Sequence, residues 1–300
     1  MRLVISLFAL ALVACADAPD APAEAPPDGP VVAELVTQDM AFAGPDTLRP
    51  GWTTIRLDNR DAVTHFALVN RLPDGYTLED QLRDVVPVFV EGAERLYDGD
   101  AEGAGAVFAR LPEWYGGAVY VGGPGLLSPG HVAEATLDLA PGTYVVECYV
   151  KTNGAFHPMA HQITVTGAPT GAPPPEPTYR LAVSADGIEA GDPPAPGVHT
   201  VAVAYRDQGP HEHFLGHDVH LARLDDEVDP DALGAWMDWS SRDGLDTPPP
   251  VTFLGGTHEA PAGSTAYFTA TFEPGDYAWV AEVPDPVGKG MYVPFTVSDE

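Results

Sequence analysis

The sequence predicts an all-β chain arranged as two tandem β-sandwiches with short helical insertions, and three observations carry that expectation. Pro (32) and Gly (31) make up about a fifth of the 300 residues, a turn-rich composition that disfavours a helical bundle. Short runs of Val, Ile, Leu, Tyr and Phe are separated by Pro-Gly and Asp-Gly turns, the pattern of strands in a sandwich. The two halves of the chain also repeat one another.

The first fifteen residues, MRLVISLFALALVAC, set one Arg before a short apolar run that ends in small residues and a Cys, the layout of a secretory signal. The run is too short to span a bilayer. Leu12-Val13-Ala14-Cys15 resembles the bacterial lipobox, which implies cleavage after residue 14 and a lipid on the Cys15 sulfur. Residues 15–30, rich in Ala, Pro and acids, read as a disordered tether. The chain is thus expected in the bacterial cell envelope, on the periplasmic or extracellular face, touching membrane only through its lipid.

The first domain is expected over 31–166. Trp52 to Leu57 reads as a strand, and Leu78 to Asp84, Val88 to Tyr97 and Glu102 to Leu111 read as short inserted helices. Gly122-Gly-Pro-Gly125 reads as an inter-strand turn, and a closing strand ends at Val165. A Pro/Gly linker over 167–178 leads to a second domain over 179–300. There, His199 to Tyr205 matches Trp52 to Leu57, each run following a Pro-Gly, and Pro230 to Asp238 is a weak helical counterpart.

His65-Phe-Ala-Leu-Val-Asn-Arg-Leu72 aligns without a gap on His217-Asp-Val-His-Leu-Ala-Arg-Leu224. Pro141-Gly-Thr-Tyr-Val-Val-Glu-Cys148 aligns on Pro274-Gly-Asp-Tyr-Ala-Trp-Val-Ala281, so Ala stands where the first copy has Cys. Met159 and Met291 each lie six residues before the closing Val, and therefore correspond. With Cys15 removed to the anchor, Cys148 is the remaining thiol, and no intrachain disulfide can form in the mature chain.

In the first copy, Asn59 precedes His65 by a short loop, and the strand Gly142-Thr-Tyr144-Val-Val-Glu-Cys148 leads to His157 and Met159. This spacing resembles the cupredoxin family, whose small Greek-key sandwich holds one copper between two loops at one end. The resemblance covers both domains, apart from the missing Cys in the second. It implies two tandem cupredoxin-like Greek-key β-sandwiches and, in the first, a copper held by His65, Cys148, His157 and Met159. A thiolate and two imidazoles with a weak thioether suit both copper oxidation states. His161, four residues after His157, is the alternative to Met159 as weak ligand.

The second domain carries Ala281 for the thiolate and Lys289 near the place of His157. Its segment GPHEHFLGHDVH holds His211, His213, His217 and His220, with His258 further on. Imidazoles so spaced can bind Cu(II) or Zn(II), but Leu215 breaks the zinc-protease pattern, and the segment reads as an exposed loop with incidental histidines. No nucleophile elbow or phosphate loop is present, and the carboxylates read as a solvated acidic surface.

Asp and Glu outnumber Lys and Arg by 44 to 14, a net charge of −30, with lysines at 151 and 289 alone. Such a surface repels phosphate, which excludes nucleic acid as a partner and suits a redox protein with a basic face. Three functions stand: copper-based electron transfer or copper holding, without substrate turnover; a metal-free cupredoxin-like binding module at the cell surface; and, behind these, a copper or zinc buffer using the histidine-rich loop of His211 and His213.

Overall fold

A computed structural model of the protein describes residues 31–224 and 228–299. The signal segment, Cys15 and the tether lie outside the described residues. Among those described, no helix is long and apolar enough to cross a membrane.

The first half contains β1 (Val31–Gln38), β2 (Ala41–Ala43), β3 (Thr47–Leu48), β4 (Gly51–Asn59) and β5 (Leu68–Arg71). Then come α1 (Leu78–Asp84), α2 (Val86–Tyr97), α3 (Ala101–Phe108), β6 (Val119–Tyr120) and β7 (Val132–Leu139). β8 (Gly142–Cys148), β9 (Lys151–Thr152), β10 (Ala155–Phe156) and β11 (Met159–Val165) complete it. The second half contains β12 (Tyr179–Ser184), β13 (Gly187–Ala190), β14 (Gly197–Tyr205), β15 (Val219–Leu224) and α4 (Pro230–Trp236). It ends with β16 (Thr252–Thr257), β17 (Thr265–Phe272), β18 (Gly275–Val280) and β19 (Tyr292–Val297).

Alternation along the strands decides which face is core. In β4, Ile55 and Leu57 point inward and are fully buried, packing with Leu35 of β1 and Ala135 of β7. Arg56 points outward between Glu34 and Glu134, its partners in register on the two neighbouring strands, and pairs with them at 2.9 and 3.4 Å. The same pattern in the second half buries Val201, Val203 and Phe268 around Trp279.

Each half is a β-sandwich. In both, the opening strand runs parallel to the next long one, β1 with β4 and β12 with β14. In the facing sheets, Arg71 of β5 sits opposite Tyr144 of β8, and Arg223 of β15 opposite Tyr277 of β18. The two tyrosine hydroxyls close the same corner, Tyr144 donating to the Ala140 carbonyl at 2.8 Å and Tyr277 to that of Glu273 at 3.0 Å. Met159 lies opposite Cys148, and the Ala281 amide donates to the Met291 carbonyl at 3.0 Å. The repeat therefore holds at the level of backbone register.

The halves are not separate beads. β7 pairs with β17, which merges one sheet from each sandwich into a single eight-stranded sheet of order β13-β12-β14-β17-β7-β4-β1-β2. A second seam joins the other faces. The expected turn at Gly122–Gly125 is instead part of an extended segment that runs through Ser128 between the two halves. On one side it bonds the first half, through Val69 N to Gly122 O, Ala67 N to Pro124 O and a reciprocal pair between His65 and Leu127. On the other it bonds β16, through Gly255 N to Leu126 O, Gly125 N to Gly256 O and Ser128 N to Phe253 O. The glycines permit a backbone that sequence reading takes for a turn: Gly122 and Gly123 have φ of 104° and 123°.

α1 spans the expected residues, opened by a reciprocal cap between Thr77 and Asp80. α2 begins earlier than expected, at Val86, because Pro87 is tolerated in a first helical turn. α3 ends earlier, at Phe108, and α4 at Trp236. Between Val165 and Tyr179 there is no strand or helix, yet Thr170 is buried there and its amide donates to the Pro50 carbonyl at 2.8 Å.

A methyl group added at Gly123 would sit 2.0 Å from the Ala67 carbonyl oxygen, on a backbone with φ of 123°. Gly123→Ala should therefore lower stability by more than about 2 kcal/mol in a denaturant titration. A loss within experimental error would mean that the seam is not rigidly packed.

Candidate metal centre

β4 ends in Asn59, a buried amide around which the following loop is wound. Its Nδ2 donates to the carbonyls of Val63 (2.9 Å) and Leu127 (2.8 Å), while its Oδ1 accepts from Thr37 Oγ1 (2.9 Å) and the Asp61 amide (3.1 Å). This wiring sets Asp61 and His65 face to face. His65 is fully buried, its Nε2 donates to Asp61 Oδ2 at 3.0 Å, and its Nδ1 stands 3.5 Å from Cys148 Sγ. A carboxylate only accepts, so the imidazole proton resides on Nε2 and the Nδ1 lone pair faces the sulfur.

Cys148 is the last residue of β8, on the inward face that Tyr144 and Val146 also occupy, and is 1% exposed. Burial pushes its thiol up to about 12, against the pull of two backbone amides, Val150 and Phe66, that donate to the sulfur. Burial likewise lowers the His65 imidazole, with Asp61 opposing it.

Met159, buried at the start of β11, lies directly across from Cys148. The segment from Cys148 to His157 folds back as the β9–β10 hairpin, and the His157 amide donates to the Val150 carbonyl at 3.2 Å. The His157 ring is exposed, between Phe156 and Pro158. His161 lies opposite Val146, two positions along the strand from the Met159–Cys148 pair, with Nε2 3.1 Å from the Pro45 carbonyl. The structure thus brings His65, Cys148 and Met159 to one end of the sandwich, with His157 at the rim and His161 turned to another loop.

The hairpin is held by a buried lysine. Lys151 Nζ donates to the carbonyls of Trp239 (2.8 Å) and Ser241 (2.5 Å) and sits 4.6 Å from the centre of the Tyr97 ring. Burial lowers this ammonium to about 8. The loop that carries His157 is thereby fastened to the second sandwich.

Beside Cys148 is a cavity of about 110 Å³, walled by Met159, Phe89 and Phe156 from the first half and Phe214 and Trp239 from the second. Two carboxyl groups, Glu147 and Glu259, also face it. Desolvation lifts Glu147 to about 7 against a 2.7 Å hydrogen bond from Gln81, and Glu259 to about 8 against a 2.6 Å bond from the Gly216 amide. Buried Glu259, Asp218 and Glu282, with half-buried Glu147, contradict the expectation that the carboxylates all belong to a solvated surface.

The second sandwich repeats part of this plan. Asp207, two residues past β14 as Asp61 is past β4, accepts from His217 Nε2 at 2.8 Å. His217 Nδ1 meets His211 Nε2 at 2.8 Å where His65 meets a sulfur. The carboxylate–imidazole pair is duplicated and the thiolate is not. The spacing of two holds for the strand ends of the structure, Asn59 and Tyr205; from the matched runs in the sequence, which end at Leu57 and Tyr205, the two Asp residues stand four and two positions on.

The histidine segment is not the exposed loop expected. His217 and His220 are 1% and 0% exposed, and His258 is 1% exposed. His220 and His258 are met by the seam from the first half, whose Leu126 amide donates to His220 Nδ1 at 3.1 Å and whose Gly123 carbonyl accepts from the His258 amide at 3.1 Å. His220, His258, Asp218 and Glu282 form a group whose donor atoms all lie within 4.8 Å of one another.

No family model and no curated protein matches the chain. Solved structures similar to it include auracyanin A, a "blue" copper protein from Chloroflexus aurantiacus, at 22% identity over 46% of this chain and 100% of that one, TM-score 0.29. A multicopper oxidase matches at 11% identity over 89% of this chain and 88% of that one, TM-score 0.24. A copper-containing nitrite reductase from Thermus scotoductus matches at 12% identity over 90% and 61%, TM-score 0.21. The class defined by the strands themselves is a double β-sandwich whose two halves share one sheet.

A carboxyl whose folded pKa lies above its ordinary value stabilises the fold fully only below that ordinary value, and the contribution is lost as pH rises through the folded one. For Glu259 the window runs from 4.5 to about 8. Glu259→Gln keeps an acceptor for the Gly216 amide and removes the titration. Relative to wild type it should be near neutral at pH 4 and more stable by on the order of 4 kcal/mol at pH 8. A pH-independent difference in urea midpoints would show that Glu259 ionises freely in the fold.

Proposed function

We propose that the first sandwich holds one copper ion between His65 and Cys148, with Met159 as weak thioether ligand and His157 as the second imidazole, for one-electron transfer or copper holding. The observation that carries this reading is the 3.5 Å separation of His65 Nδ1 and Cys148 Sγ. Two donors on one tetrahedral ion, with metal–nitrogen about 2.0 Å and metal–sulfur about 2.3 Å, stand about 3.5 Å apart. The donor set, one thiolate, imidazole and a thioether, suits copper in either oxidation state, and bound copper would carry one electron by alternating between them.

Each surrounding residue has a defined part. Asp61 holds the proton on His65 Nε2 and so keeps Nδ1 free as a donor, the carboxylate–imidazole support common around metal ligands. The amides of Val150 and Phe66 favour a thiolate over a thiol once a cation replaces the proton. Phe66 and Tyr149, 4.7 Å apart edge to face, exclude water behind the sulfur. Lys151 fixes the hairpin that presents His157.

Export of the chain and a lipid on Cys15 would hold this domain at the cell envelope, and its net charge of −30 favours a redox partner with a basic face. Electron transfer rather than substrate turnover is the activity this arrangement supports.

Titration of the full chain with Cu(II) should give an intense visible thiolate-to-copper band that saturates at one equivalent and is absent in Cys148→Ser. Asp61→Ala should keep the band and weaken binding about 10–100-fold. Absence of the band in the wild-type protein would leave a metal-free binding module.

A further inference from the structure

We propose that Asp218, His258 and Glu282 form a second metal site, for a first-row divalent cation of the Zn(II) class, at the end of the second sandwich. The topology brings them together. β15 is flanked in its sheet by β16 and β18, both antiparallel to it, so the start of β15 meets the ends of its neighbours. Asp218 immediately precedes β15, His258 immediately follows β16, and Glu282 lies two residues beyond β18. All three are at most 2% exposed.

Hydrogen bonding decides which side chains are available to a cation. His220 Nδ1 accepts the Leu126 amide, so its proton is on Nε2, which donates to Asp218 Oδ2 at 2.9 Å. Both ring nitrogens are engaged, and His220 orients the carboxylate rather than ligating. Asp218 Oδ1 accepts the Glu282 amide at 2.7 Å, which ties two of the proposed ligands to each other. His258 is different. Its Nδ1 stands 3.7 Å from Asp218 Oδ2, beyond hydrogen-bond length, and its Nε2 is buried without a partner. Glu282 receives only the Tyr149 hydroxyl, at 3.3 and 3.5 Å to its two oxygens.

The 3.7 Å gap has a use. Carboxylate oxygen and imidazole nitrogen, each about 2.1 Å from one ion, are separated by about 3.4 Å at a tetrahedral angle. Two buried carboxyl groups beside a neutral imidazole can both ionise here only with a counter-charge, because burying charge without one is unfavourable. A divalent cation supplies it. The donors are oxygen and nitrogen without sulfur, which selects ions such as Zn(II) over Cu(I).

The test uses the full chain carrying Cys148→Ser, which removes the proposed copper thiolate and makes the result independent of that reading. After chelation and removal of the chelator, titration with Zn(II) should show one equivalent bound with sub-micromolar affinity and a rise in melting temperature. X-ray absorption of the loaded protein should report only oxygen and nitrogen neighbours, with one imidazole. Adding Glu282→Gln or His258→Gln should weaken binding roughly 100-fold with an unchanged far-ultraviolet circular dichroism spectrum, while adding His211→Ala should not. No saturable uptake, or uptake lost in His211→Ala and kept in Glu282→Gln, would overturn the proposal.

Discussion

The extended segment from Gly122 to Ser128 is the constraint on which both ends of the molecule depend. It lies between the His65 loop of one sandwich and β16 of the other, using backbone groups on both of its edges. The reciprocal pair between His65 and Leu127 fixes the backbone of the first candidate ligand, and Leu127's carbonyl also accepts from Asn59. One residue earlier, the Leu126 amide fixes the tautomer of His220. A buried backbone group left without a partner is costly, so a shift of this segment would be opposed from both sides at once. The two candidate sites are therefore positioned by one piece of chain.

Duplication has preserved the scaffold and released the chemistry. The parallel opening strands, the tyrosine corners, the Met159 and Met291 positions and the Asp–His pairs recur in the same register. At the end of β18 the thiol is replaced by Ala281, which is fully buried beside Met291 and satisfies its amide there. That end of the second sandwich is a packed core where the first has a sulfur and an imidazole. Polar groups gather instead one strand over, at the start of β15, where His220 replaces the leucine found at the matching position, Leu68, of the first copy.

Local signals were legible in the sequence, and long-range ones were not. The strand runs, the α1 boundaries and the matching of Cys148 with Ala281 follow from patterns a few residues long, which the structure retains because strand alternation and capping are local. The convergence of His65 with Cys148 was legible through spacing in a familiar strand order. The burial of His220 and His258 was not, because the seam that meets them comes from the other half of the chain, Leu126 lying 94 residues before His220. Nor was the path of Gly122–Gly125: glycines with positive φ serve a tight turn and a closely packed extended seam equally well. Asp218, Glu259 and Glu282 were hidden in a composition so acidic that a few buried carboxyl groups leave no mark on it.

The second sandwich acts on the first by enclosing it. Phe214, Leu215, Trp239 and Glu259 line the cavity beside Cys148, and the Lys151 ammonium holds the hairpin through carbonyls on the far side of the domain boundary. Tyr149, next in sequence to Cys148, reaches Glu282 with its hydroxyl, and Phe66, next to His65, packs against His258 at a tilt with ring centres 4.5 Å apart. The residues that follow His65 and Cys148 in the first sandwich thus pack on the polar cluster of the second. Charges separated by such aromatic walls are weakly screened, since the medium between them holds little mobile water. A change of charge at either end is consequently felt at the other more strongly than across the same distance in solvent. An isolated first sandwich would keep its candidate ligand residues and lose this enclosure.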